Sequence, residues 1–68
     1  MSRYRQCELS AANTRLVCWL DEQPKLRVGA VVTLKEIPET KWTVQWMSEM
    51  VADQHQRRTW RVGGVYDR

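Results

Sequence analysis

Hydrophobic and polar residues alternate along much of this chain, and alternation at every second residue marks half-buried β-strands, because successive side chains leave a strand on opposite sides. The clearest case is Lys41–Met47, where Trp42, Val44 and Trp46 share one face and Lys41, Thr43 and Gln45 share the other. The tryptophan face is expected to point inward as a unit. Thr14–Leu20 alternates too, with Leu16, Cys18 and Leu20 on one side and Arg15, Val17 and Trp19 on the other. Residues 3–9 make a plausible first strand, turning through Ser10–Asn13. Asp21–Lys25 is a polar loop around Pro24, which lacks a ladder donor. Gly29 supplies a bend before a third strand at residues 30–36, and Ile37–Thr40 connects it to the fourth. Thr59–Val62 is a last short strand, which Gly63 and Gly64 end. Between them, Met47, Met50 and Val51 fit one helical face, so residues 48–55 are expected to form a loop with a short helical turn.

Five short strands imply an all-β fold, and a meander closed into a small barrel removes the exposed edges of an open sheet. Sixty-eight residues make a single domain, 1–68, without internal repeat or low-complexity tract. A chain this short hides only about 60% of its unfolded surface, so a few large side chains must fill the core. Four Trp and two Tyr are available, and no Phe.

Two segments carry a resemblance. Val28–Lys35 followed by Trp42–Trp46 resembles the central hairpin of SH3-like small barrels, including KOW-type modules, in which a glycine precedes one strand and a second returns across it. Across residues 4–47 the pattern also resembles small proteins encoded by tailed bacteriophages, with a short Cys-containing first strand, then Asn13–Leu20, then the Val28-Gly29 hairpin and its tryptophans. The resemblance implies a five-stranded SH3-like small barrel that works by binding, as a phage-type accessory protein. It brings no catalytic motif. No glycine stands between Glu36 and Lys41, as a KOW loop would have, and the acidic, tyrosine-rich groove of polyproline-binding SH3 domains is missing.

A formal charge of +3 favours acidic partners mildly and does not by itself imply nucleic acid. No apolar run approaches the roughly 20 residues of a membrane helix, and the N-terminus lacks the apolar stretch of a secretory signal. The expected location is the cytoplasm, that of the host if the chain is phage-encoded, or the inside of a virion. With the first hairpin turning at Ala11-Ala12, Cys7 faces Leu16 and Cys18 faces Arg5, which leaves the thiols as diagonal neighbours on one face. Two buried thiols acting as small hydrophobes is the first reading. A disulfide, for which diagonal spacing is long, and metal ligation are the alternatives. There is no CxxC and His55 is the only imidazole, so Cys and His cannot assemble a four-ligand zinc site. No metal or cofactor is expected.

Catalytic chemistry finds no constellation. His55 stands in a polar run, Ser10 and Ser48 have no evident base, and the pairs Asp21-Glu22 and Glu36/Glu39 lie in loops where solubility explains them. The chain is read as non-enzymatic. Two binding surfaces are expected instead. One is an outward patch of Val17, Trp19 and Tyr4 rimmed by Arg15 and Arg3, suited to a larger protein partner such as a host factor or virion component. The other is the basic run Arg57, Arg58 and Arg61 beside Trp60, suited to nucleic acid or an acidic protein surface. A structural or decoration subunit of a virion, stable as an oligomer or within an assembly, is the third reading.

Overall fold

The computed structural model describes residues 3–53 and 59–66. Its strands are β1 (Arg3–Ala11), β2 (Thr14–Asp21), β3 (Val31–Leu34), β4 (Ile37–Asp53), β5 (Thr59–Trp60) and β6 (Val62–Tyr66). The all-β class is as expected, with six strands in place of five. They form one curled, barrel-like sheet in the order β5-β2-β1-β4-β3-β6. This is not the simple meander expected: β1 lies between β2 and β4, and the segment from Glu22 to Ala30 carries the chain from β2 across to β3.

β1 and β2 form an antiparallel hairpin closed by Ala11 opposite Thr14, so the turn is Ala12-Asn13. Ala12 takes a left-handed φ of 53°, which a two-residue hairpin loop demands at its first central position. The turn lies one residue later than expected, and every pairing moves by two. Cys7 therefore faces Cys18 directly, Leu9 faces Leu16 and Arg5 faces Leu20. A two-residue shift keeps each side chain on its face, so the inward set Leu16, Cys18 and Leu20 stands as expected.

β4 departs most from expectation. It runs on as strand to Asp53, against the helical turn expected near 48–55, because Val51, Ala52 and Asp53 pair with Arg5, Tyr4 and Arg3; residues 54 and 55 lie outside the described residues. Two irregularities bend this long strand. Glu8 pairs with Trp46 while Leu9 pairs with Val44, so Gln45 is an extra residue. Between Arg5 and Cys7 the partner jumps from Val51 to Met47. Such bulges bend and twist a strand, which is how a sheet of this size curls. Near the start of β4, Thr33 pairs with Lys41 but Leu34 with Ile37, and Pro38 sits in the intervening excursion, where its missing N–H costs no ladder bond.

Closure comes from the C-terminal strands. Only Arg61 separates β5, parallel to β2, from β6, antiparallel to β3, so consecutive pieces of chain occupy both ends of the strand order. The carboxylate of Asp21 accepts the Val62 N–H at 2.7 Å and the Gln23 side-chain amide at 2.6 Å. Lys35 N–H donates to the Arg61 carbonyl at 2.9 Å. Gly63 and Gly64 lie within β6 instead of ending the strand. Gly63 is the extra residue of a bulge opposite Thr33 and Leu34, and a Cβ there would stand 3.2 Å from Thr33 Oγ1.

Cys7, Leu9, Cys18, Leu20, Val32, Leu34, Trp42, Val44 and Val62 fill the interior with Leu26, and Leu16, Met47, Trp60 and Val65 pack around them. Trp42 is 6% exposed and Val44 is buried, as expected, but Trp46 is 49% exposed. The bulge at Gln45 turns Trp46 outward and gives its inward place to Met47, opposite Cys7.

Candidate interaction surface

Three adjacent strands supply the outer surface next to this bulge. Glu8 of β1 has Val17 of β2 on one side and Trp46 of β4 on the other, and residues directly opposite one another project from the same face. Val17 is 58% exposed, so the rung Val17–Glu8–Trp46 presents two large apolar groups to solvent, about 10 Å apart at the usual strand spacing. Arg15 reaches Glu8 at 3.4 Å with a side chain 77% exposed. Gln45 donates to Ser10 Oγ at 2.7 Å and bounds the rung on its hairpin side. Two residues along, Gln6 faces Trp19, and a shallow depression of about 300 Å³ lined by Gln6, Leu16, Val17, Cys18, Trp19 and Trp60 continues the apolar surface. The result is a strip of indole and aliphatic surface whose nearest charges, Glu8 and Arg15, are already paired.

Of the expected patch, Arg15 and Val17 stand at the surface and Trp19 is half-buried beside them. Tyr4 is buried, with Asp21 and Ala52 opposite it, and cannot belong to an outward patch. Arg3 is exposed and stands at the other end of β1, seven residues from Ser10, the partner of Arg15, a distance of roughly 24 Å. Trp46, the most exposed indole on the strip, is expected inside from the alternation alone. The apolar neighbours Trp46 and Met47 compete for one inward position, and that adjacency was the available signal.

On the basic edge, Arg61 Nε donates to Glu36 Oε2 and the Arg61 backbone N–H to Glu36 Oε1, both at 3.1 Å. The backbone donor first, then the guanidinium, holds the Glu36 carboxyl below the usual carboxylate range. Arg61 is thus committed to an acid of its own chain. Arg57, Arg58 and His55 lie outside the described residues.

A larger groove, about 660 Å³, opens between the β1–β4 irregularity and the β2–β3 connection, over Arg5, Leu26, Val28, Met47, Ser48 and Glu49. Its central cation is occupied: Arg5 donates to the Ser48 carbonyl at 2.7 Å and to Glu22 at 2.8 Å, while Gln6 N–H donates to Ser48 Oγ. These bonds replace ladder bonds lost at the irregularity, which makes Arg5 a clamp of the fold. Among the described residues no cluster of three or more His, Cys, Asp or Glu is placed to hold a metal, and no helix is long and apolar enough to cross a membrane.

Cys7 and Cys18 are both buried free thiols. Burial pushes Cys7 from 9.0 up to about 11, against the pull of the Arg5 charge, and pushes Cys18 up to about 12, with Cys7 adding to the effect. The unfolded chain therefore loses these protons first as pH rises. Their contribution to stability is whole below pH 9 and declines from there towards 11–12. Urea midpoints measured from pH 7 to 10.5 should turn downward above about pH 9, and a Cys7→Ala/Cys18→Ala variant should turn down less. Equal slopes for the two proteins would mean that other groups carry the alkaline loss.

Compared with known proteins, the chain matches no family model, and no curated protein or solved structure is significantly similar to it.

Proposed function

We propose that this domain is a non-enzymatic binding module, an SH3-like small barrel that docks on a larger protein through the outer strip of Trp46, Val17 and Trp19. The observation that carries the reading is the bulge at Gln45, which holds Trp46 at the surface across Glu8 from Val17. A small domain short of core material leaves an indole half in water at a cost, since burying it is worth a few kcal/mol. Exposed aromatic groups with a polar rim are the usual anchors of protein interfaces. The resemblance of residues 4–47 to small phage proteins suggests the setting, an accessory protein acting on a host factor or virion component.

The test is affinity capture from the source cell or infected host with the immobilised domain, run beside Trp46→Ala and Val17→Asp. A specific protein held by the wild type should be lost by at least about 10-fold in each variant, with thermal melts close to the wild type and little dependence on salt. Equal retention by the folded variants would remove the strip from consideration. Oligonucleotide binding that falls steeply with salt would transfer the function to the basic edge instead.

A further inference from the structure

We infer that Cys7 and Cys18 are a cross-strand dithiol that closes to an intramolecular disulfide and latches β1 to β2. The two residues are direct partners in the antiparallel register, with side chains on the same inward face. Directly opposed residues in such a pair have Cα atoms roughly 4.5–5.5 Å apart, inside the roughly 4.4–6.8 Å that disulfides span. The bond needs rotation of both side chains, with the Cys7 thiol leaving the Arg5 carbonyl, and a small approach of the two strands, since opposed Cβ atoms stand roughly 4.5–5.5 Å apart and a disulfide spans roughly 3.5–4.5 Å. It lies one residue along from the Glu8–Val17 rung, so the latch would fix the strands that carry the outer strip, but it stands independently of what that strip binds.

The reaction partner is a low-molecular-weight disulfide such as oxidised glutathione. A thiolate of one cysteine attacks a glutathione sulfur and releases one glutathione thiolate. The second cysteine then attacks the protein-side sulfur of the mixed disulfide and releases the other. Two protein thiols are oxidised, one glutathione disulfide is reduced to two thiols, and the two cysteine protons end on them. Access comes from peeling β2, whose outer edge is held among the described residues by two pairings with β5, Trp19 to Thr59 and Leu20 to Trp60. Closed strands shield the thiols, so oxidation proceeds through the opened hairpin and should be faster in mild urea.

The full chain is equilibrated across a series of reduced-to-oxidised glutathione ratios, quenched with acid, unfolded, alkylated with iodoacetamide and weighed intact. The expected product is a monomer two hydrogens lighter that takes no alkyl group, and that melts higher than the reduced chain by roughly 10 °C or more. Cys7→Ser should yield at most a glutathione adduct on Cys18. The inference is overturned if the oxidised samples take two alkyl groups at every ratio, accumulate glutathione adducts or linked dimers, or contain a closed monomer that melts lower than the reduced one.

Discussion

Trp42→Ala should unfold most of the domain, while Trp46→Ala, four residues along the same strand, should leave it folded. A chain of 68 residues has a total stability of about 3–10 kcal/mol at the usual per-residue range. Emptying a buried indole site costs about 3–5 kcal/mol, because the neighbours collapse only partly into the space. Trp42 is such a site, packed with Val32, Val44 and the rest of the interior. Trp46 has half its surface in water, and its loss should cost about 1 kcal/mol or less. Trp42→Phe separates volume from polarity. The Trp42 Nε1 is buried with no hydrogen-bond acceptor among the described residues, a defect of about 1–3 kcal/mol, so the smaller ring recovers part of what it forfeits in packing. Urea denaturation followed by far-ultraviolet dichroism ranks the three variants. Equal losses at 42 and 46 would contradict the outward placement of Trp46.

The contrast between these indoles marks where the sequence could be read and where it could not. Along Thr14–Asp21 the period of two is unbroken and the strand is regular, so its inward and outward sets are legible even though the turn falls one residue later than the pattern suggests. Ala12 gave little warning of its left-handed φ, since glycine or asparagine is the usual choice there. In β4 the period holds to Val44 and then meets Trp46 and Met47 together. Which of them goes in is decided by the bulge, and the bulge by the need to bend a 17-residue strand around the core. That requirement is tertiary and has no local signature. The same holds past Ser48, where helical spacing of Met47, Met50 and Val51 yields to pairing with β1; an isolated turn of helix is worth little against a ladder. Gly63 and Gly64 read as a stop signal, yet they sit in β6 because Thr33 packs against their bare backbone and the Tyr66 hydroxyl covers Gly64. The outer strip was accordingly half legible: Arg15, Val17 and Trp19 follow from the strand period, and Trp46 does not.

Asp21 is expected to be the polar residue on which closure depends. Its two oxygens tie the end of β2 to Val62 at the start of β6 and to Gln23 in the connection that follows. In Asp21→Ala the Val62 N–H, on a residue that is itself buried, loses a charge-assisted acceptor, and the expected cost is about 2–3 kcal/mol. Asp21→Asn keeps one oxygen and should recover roughly half of that. Glu36→Gln makes the comparison on the other side of the crossover, where the bonds to Arg61 are exposed and screened by water; its effect should be much the smaller. Amide hydrogen exchange distinguishes local opening from general weakening: in Asp21→Ala, protection should fall first at Val62–Tyr66 and at Val31–Leu34 opposite, before it falls in the β1–β2 hairpin. If protection drops evenly across all strands, or if Glu36→Gln matches Asp21→Ala, the crossover at Arg61 is held by apolar packing of Trp60 and Val62 and the carboxylate is incidental to it.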